Sequence, residues 1–239
     1  MQIHNIPQHL DDGQANPDWL ALRAGKFSGS DFHQYLGIVD KPLSATAETA
    51  LHKKVLESLG ETFAGVQTDA MARGNELEPL ARDAYICQTF ADVQEVGFVD
   101  WEHLRAGCSP DGVIMKPILK RITPRYFSCG DVIGVDDEDV AWDIEKIIEI
   151  KCPEIVNFIK YAKSADNIPP LYKTQMQYNM LITGAKSCDF VVYHPNMRLV
   201  VHTIDVDSEY QAKIVAALEK LNERYDEILA TINKLKVGE

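Results

Sequence analysis

One run near the middle of the chain limits the fold more than any other feature. In Lys146-Ile147-Ile148-Glu149-Ile150-Lys151 charged and apolar residues alternate, and Pro153 follows. Such alternation marks a β-strand, because successive side chains leave opposite faces of a sheet. Proline has no N–H for a ladder, so pairing should end there. Glu149 and Lys151 then share one face, and Ile150 points into a core.

The segments around this strand read as a mixture of helix and strand. Residues 17–23 suit a short helix carrying Trp19, Leu20 and Leu22. After the break at 25–29, Ser28 or Ser30 is placed to cap a second helix through 31–36. Residues 46–59 carry Leu51, Val55, Leu56 and Leu59 at helical spacing, stopped by Gly60. A helix from Asp69 to about Phe90 should bury Leu77, Leu80, Ala81, Ala84 and Tyr85, with Pro79 bending it or lying in its first turn. Segments 93–101 and 104–109 read as a hairpin-like pair, 113–115 as extended and 116–143 as irregular. A helix over 172–182 precedes closing strands at 188–194 and 199–206. The final helix, 208–235, shows a Ser208–Gln211 capping box and a stripe from Ile214 through Leu218, Leu221, Tyr225, Ile228 and Ile232 to Leu235. This order predicts an α/β domain with a mixed central sheet flanked by helices. At 239 residues, one domain spanning 1–239 is expected.

Composition narrows the function. No apolar run approaches the roughly 18 residues of a membrane span, and residues 1–10 lack the pattern of a secretion signal. The cysteines, Cys87, Cys108, Cys129, Cys152 and Cys188, are five in number with no Cys-x-x-Cys pair. They predict isolated thiols in a reducing cytoplasm, not a disulfide framework or zinc ribbon. A net charge of −12 argues against a protein that coats nucleic acid nonspecifically. It leaves room for one that meets DNA only inside a lined channel.

The chemistry concentrates in two short blocks. Ser109-Pro110-Asp111-Gly112 can hold a carboxylate at a sheet edge, and Glu149-Ile150-Lys151 adds a second carboxylate and an ammonium on one face. The Ile150 carbonyl can tilt toward the same place as a hard oxygen. Two carboxylates and a carbonyl make a good partial shell for Mg²⁺. An ion with a lysine beside it suits in-line hydrolysis of a phosphodiester. Taken singly, Pro-Asp-Gly is also an ordinary turn and Glu-x-Lys an ordinary solvated strand face.

Asp111 with Glu149-Ile150-Lys151 resembles the PD-(D/E)XK nuclease superfamily. More closely, the chain is similar to the phage lambda-type exonucleases, the viral recombinase-type alkaline exonucleases. Five blocks carry the likeness in family order: Trp19-Leu20-Ala21-Leu22-Arg23 through Ser28-Gly29-Ser30; Arg73-Gly74-Asn75-Glu76-Leu77-Glu78; Cys108-Ser109-Pro110-Asp111-Gly112; Ile148-Glu149-Ile150-Lys151-Cys152-Pro153; and Tyr172-Lys173-Thr174-Gln175-Met176-Gln177-Tyr178.

The resemblance implies a restriction-endonuclease-like core and a set of roles. Asp111, Glu149 and the Ile150 carbonyl would hold Mg²⁺, with Mn²⁺ as a substitute and two ions expected. Glu78, five positions after Arg73, would complete the acidic site through water or a second ion. It has Glu76 and Asp83 as neighbours on a charged helix. Lys151 would position the attacking water and Gln175 would support the site. Gln177 is the weaker choice, since it lies about 200° round the helix from Gln175. Arg23 and Ser30 would bind a terminal 5′-phosphate, as a helix N-terminus, hydroxyl and guanidinium can. Without the resemblance, Ser30 serves equally as a cap and Arg23 as the partner of Asp31.

The implied activity is 5′→3′ digestion of linear double-stranded DNA, leaving 3′ single strands for an annealing protein. The implied assembly is a homotrimeric ring whose inner wall meets DNA, and the implied setting is the cytoplasm of a bacterial host, phage- or prophage-encoded. Rival readings are an endonuclease or repair nuclease of other polarity, and an inactive DNA-binding or assembly protein. One departure stands out: 116–143 reads as an insertion between the catalytic strands, bearing Lys116, Lys120, Arg121, Arg125, Tyr126 and Phe127 and then an acidic run at 136–139. The histidines, His194 and His202 among them, form no ligand spacing.

Overall fold

A computed structural model describes residues 2–4, 16–63, 68–101, 104–119, 125–126, 132–134 and 140–235. In chain order the elements are β1 (Gln2–His4), α1 (Pro17–Arg23), β2 (Phe27–Ser28), α2 (Ala45–Ser58), α3 (Asp69–Thr89), β3 (Val93–Gln94), β4 (Phe98–Trp101), β5 (Ala106–Cys108), β6 (Gly112–Leu119), β7 (Arg125–Tyr126), β8 (Val132–Gly134), β9 (Val140–Lys151), α4 (Ile155–Lys163), α5 (Pro170–Thr183), β10 (Ser187–Val192), β11 (Val200–Asp205) and α6 (Ser208–Leu235). The central sheet runs β11-β10-β9-β6-β3. Only its β9–β10 pairing is parallel, so the sheet is mixed, as expected. A second sheet runs β1-β4-β5-β2, and β7 and β8 pair with each other.

The alternation in β9 divides two cores. Ile147 belongs to the larger core with α2, α5 and α6, while Ile148 and Ile150 pack against Ala81 and Tyr85 of α3. The central sheet is therefore covered on both faces. α6 carries its buried stripe as read, with Ile214, Leu218, Leu221, Tyr225 and Ile228 inside. Each fully buried aliphatic side chain contributes about 1.5–3 kcal/mol, so packing more than propensity seats this helix. Leu235, at its last residue, is 76% exposed.

Several local expectations are corrected. No α-helix forms over 31–36; two 3₁₀ turns, Phe32–Gln34 and Leu36–Val39, stand there. Ser28 lies in β2, and its hydroxyl meets Ser30 Oγ at 3.3 Å and donates to Asp31 Oδ1 at 3.1 Å instead of capping a helix. In α3, Leu80 is 52% exposed and Arg82 is buried. Leu80 lies about 140° round the helix from Tyr85, off the face that meets the sheet. Pro79 sits inside α3, past its first turn. α6 is capped by Asp207, whose Oδ1 accepts the Tyr210 N–H at 2.9 Å, and the Gln211 side chain donates instead to the Gln177 carbonyl at 3.2 Å. Residues 116–119 and 140–143, expected to be irregular, are paired strand that extends β6 and β9. The sequence reading has no counterpart for helix α4, of which Phe158 is buried while Ile155, Val156 and Ile159 are exposed. Lys120, Arg121, Phe127, Cys129 and the acidic run at 136–139 fall outside the described residues.

Candidate active site

The site begins with how β6 meets β9. These strands are antiparallel, with Gly112 opposite Ile148 at the start of β6. Asp111, just before β6, therefore comes level with Glu149, and its Oδ2 accepts the N–H of the next residue, Ile150, at 2.6 Å. Glycine at 112 leaves room for the side chains of its neighbours. A Cβ there would lie 2.6 Å from Val93 Cγ1 and 2.8 Å from Ile148 Cδ1. On its other edge β9 faces β10, where the Lys151 carbonyl accepts the Tyr193 N–H at 3.0 Å. Backbone groups of successive strand residues point to opposite edges. The Ile150 carbonyl therefore faces the Asp111 side, beyond the end of β6.

Side chains converge from three directions. Glu149 is fully buried, ion-paired with the Lys151 ammonium, and accepts from Asn179 Nδ2 of α5 at 3.3 Å. Lys151 also lies 5.0 Å over the Tyr172 ring. From α3, Glu78 accepts from Arg82 Nη2 at 2.7 Å, and Arg82 Nε donates to the Asp111 carbonyl at 3.0 Å. A cleft of ≈ 1010 Å³ opens over this group, with Ser30, Glu78, Asp111, Ile150, Lys151 and Gln175 among its walls.

Negative charge is in surplus here. Burial, then the Asp111 carboxylate, pushes Glu78 up to about 8, although Arg82 and Lys151 oppose the shift. Burial raises Glu149 to about 7 against the pull of Lys151. Asp111 is also raised by burial, opposed by Lys151, the Ile150 N–H and Arg82. For Lys151, burial works against the charge, but Glu149 and Asp111 outweigh it and hold the ammonium protonated. Buried carboxylates whose charge is this disfavoured are a mark of functional sites.

Among the described residues, no three His, Cys, Asp or Glu side chains form a ready metal cage. Each carboxylate instead holds a protein donor. The donor chemistry nonetheless fits a hard cation. The Glu78 and Asp111 carboxylates and the Ile150 carbonyl offer hard oxygens at the cleft, and Mg²⁺ keeps several waters, needing only one or two carboxylates.

Comparison with known proteins places the chain. Residues 18–186 match the YqaJ-like viral recombinase domain, a span covering most of the chain. The chain belongs to the YqaJ-like viral recombinase family. Its fold resembles the alkaline exonuclease LHK-Exo of Laribacter hongkongensis, with TM-score 0.66 and 27% identity over 92% of this chain and 100% of the other. The structure of LHK-Exo in complex with dAMP matches at TM-score 0.65 and 28% identity, again over 92% and 100%. A phage-related exonuclease of Haemophilus somnus shares the fold at TM-score 0.62 and 16% identity, over 87% of this chain and 96% of that one. No curated protein sequence matches the chain.

In this YqaJ-like chain the structure gathers Glu78, Asp111, Ile150, Lys151 and Gln175 at the cleft, with Glu149 beneath Lys151's ion pair. Gln177 is turned into structure: its Nε2 donates to the Asp205 carbonyl at 2.8 Å and its Oε1 accepts the Asp207 N–H at 3.0 Å. Ser30 reaches the cleft wall. Arg23 is engaged elsewhere, 4.3 Å over the Trp19 ring and 3.5 Å from Ser28 Oγ, and burial disfavours its charge while Asp31 and Glu57 support it. With no α-helix at 31–36, the expected helix N-terminus is missing from this pocket.

Two neighbours of the acids escaped the sequence reading. Arg82 is four residues after Glu78 and Asn179 four after Gln175, the spacing that puts side chains on one helix face. That spacing was the available signal. The Trp19 block is joined to the Asp111 block as well, since the indole Nε1 donates to Ser109 Oγ at 3.1 Å.

Proposed function

We propose that the chain is a metal-dependent 5′→3′ exonuclease that degrades linear duplex DNA from 5′-phosphorylated ends. It would leave 3′ single strands for a strand-annealing partner in phage-type recombination. The carrying observation is the convergence of Glu78, Asp111 and Lys151 on one cleft, with Glu149 buried against Lys151 behind it, in a chain of this family. The likeness to an alkaline exonuclease, and that protein's complex with a deoxynucleoside monophosphate, favour DNA over other phosphodiesters.

Asp111, Glu149 and the Ile150 carbonyl are the groups that would hold Mg²⁺ or Mn²⁺, with Glu78 acting through water or on a second ion. A bound ion would supply an activated water and offset charge on the phosphate. Lys151 enters as an ammonium. Its part is to orient the attacking water and neutralise the pentavalent phosphorus centre, not to take a proton. Gln175 would position water or phosphate from the α5 side. Ser30, at the cleft wall, would meet a 5′-phosphate, with Arg23 supporting Ser28 behind it. A homotrimeric ring would put the basic DNA path inside and leave an acidic exterior, which reconciles the net charge of −12 with a DNA substrate. Among the described residues no helix is long and apolar enough to cross a membrane; the cytoplasm of a phage-carrying bacterium is the proposed setting.

Digestion of end-labelled linear duplex tests this reading. Mg²⁺-dependent release from 5′-phosphoryl ends, weaker release from 5′-hydroxyl ends and no cutting of circular duplex are expected. Cutting of circles would favour an endonuclease, and release from 3′ ends would reverse the polarity. No cleavage with either ion would leave a binding protein.

A further inference from the structure

Next to Glu149 lies a buried amide that the chemistry above leaves unused. We propose that Asn179 is a positioning residue, through which the Ser28-Gly29-Ser30 segment fixes the orientation of the Glu149 carboxylate. The inference rests on the reading of Glu149 as a metal ligand.

Asn179 is 2% exposed on α5, and its Nδ2 donates to Glu149 Oε2 at 3.3 Å. The other carboxylate oxygen is taken by Lys151. With both oxygens engaged, the carboxylate is held in one plane. The Asn179 Oδ1, by contrast, is buried with no hydrogen-bond partner among the described residues. An orphaned buried acceptor is unfavourable, so the amide is held here by something other than its own satisfaction.

Gly29 supplies the hold. A Cβ at Gly29 would lie 2.3 Å from Asn179 Oδ1, so the Gly29 backbone seats directly on the amide. The Gln175 carbonyl and Tyr178 Cδ1, at 3.2 Å, would need to give only a few tenths of an ångström. The preceding residue of α5 pins the same segment, since the Tyr178 hydroxyl donates to the Phe27 carbonyl at 2.7 Å. Asn179 therefore cannot turn away from Glu149 toward Gly29. Ser30, at the cleft wall, is the next residue along. The segment that would meet a DNA end and the carboxylate that would hold the metal are thus joined through one side chain.

The test uses Asn179→Ala, Gly29→Ala and the double variant. Two quantities are read: kcat and KM on 5′-phosphorylated linear duplex, and Mn²⁺ affinity by calorimetry without DNA. Asn179→Ala should lower kcat and weaken Mn²⁺ binding, each on the order of ten- to a hundred-fold, the usual cost of losing a group that orients a metal ligand. KM for DNA ends should stay near wild type. Gly29→Ala should do the same by displacing the amide. In the double variant the added methyl has room, so its losses should match Asn179→Ala alone, a non-additive result. If Asn179→Ala does not fold, Asn179→Leu, near in shape and without a donor, is read instead with the same expectation.

Unchanged kcat and Mn²⁺ affinity in the Asn179 variant would overturn the inference, as would losses that multiply in the double variant. Those outcomes leave the nuclease reading intact. A wild-type chain that neither binds Mn²⁺ nor cleaves DNA would remove that reading and the inference together. If it binds Mn²⁺ without cleaving, the affinity measurement alone decides.

Discussion

The run from Lys146 to Lys151 within strand β9 sets a lysine beside a buried carboxylate at each of its ends, and the two ends are built differently. At one end a single acid, Asp189, is met by Lys146 Nζ at 3.1 and 3.0 Å, by the Tyr85 hydroxyl at 2.6 Å and by the Thr203 hydroxyl at 2.7 Å. Donors there outnumber acids. At the other end Glu78, Asp111 and Glu149 share the cations of Lys151 and Arg82, and burial, with the like charge of Asp111 adding to it, pushes Glu149 to about 7 and Glu78 to about 8. A balanced buried network specifies structure, while an unbalanced one awaits a further cation. In the sequence both ends read alike, as a lysine on an alternating strand.

The sharpest break in this comparison is Lys151→Ala. Cleavage should fall on the order of a hundred- to a thousand-fold, the scale seen when a charge-stabilising donor is removed. Stability should hold, because Glu149 at about 7 can take up a proton when its partner leaves. Lys146→Ala should keep its rate per folded molecule. A Lys151→Ala protein that cleaves at the wild-type rate would end the claim that the two ends differ in purpose.

Asp189→Ala should do the reverse. It strips the acceptor from Lys146, Tyr85 and Thr203 at once, and the Asp189 side chain is only 5% exposed. Urea denaturation should register a loss of roughly 3 kcal/mol, the range for breaking a buried pair from one side. The rate of the molecules that remain folded should be unchanged. A large fall in rate with stability intact would place this network in the reaction.

What the sequence made legible follows the range of the forces involved. The alternation of β9, the glycine after Asp111, the α5 segment and the α6 stripe as far as Ile228 depend on local period and turn chemistry, and all appear as expected. The shape of residues 28–36 did not, because two buried aromatics, Phe32 and Tyr35, tighten the chain into 3₁₀ turns against the core. Arg82 is buried only because Glu78, Glu95 and the Asp111 carbonyl meet its guanidinium from separate segments. No periodicity reports such a meeting. The Asp207 cap lost out in the reading to Ser208-x-x-Gln211, since the pattern cannot say that the Gln211 side chain is drawn to Gln177. Glu78 and Gln175 were reached through the resemblance, and Arg82 and Asn179 were then one helical turn away.

The smallest expected effect is on stability against pH, and it follows from the sign of the shifts. Glu149 and Glu78 sit at about 7 and about 8, above the 4.5 of a free glutamate. Between pH 4.5 and 8 the metal-free folded protein therefore holds protons that the unfolded chain has released. Its stability should be greatest on the acid side of this window and fall as pH rises through about 7 to 8. A cation acts in the opposite sense, because it needs the ionised carboxylates and competes with their protons. Thermal denaturation in a chelator should then show a midpoint that drops by about 2–4 °C for each kcal/mol lost. Added Mg²⁺ should recover little near pH 5.5 and most near pH 8.5. Glu78→Gln should flatten the upper part of the metal-free curve, while Lys146→Met, at the balanced end, should leave its slope alone. A flat curve in chelator, or a Mg²⁺ effect of equal size at every pH, would mean that the charge surplus at the Lys151 end is not what prepares this site for a metal.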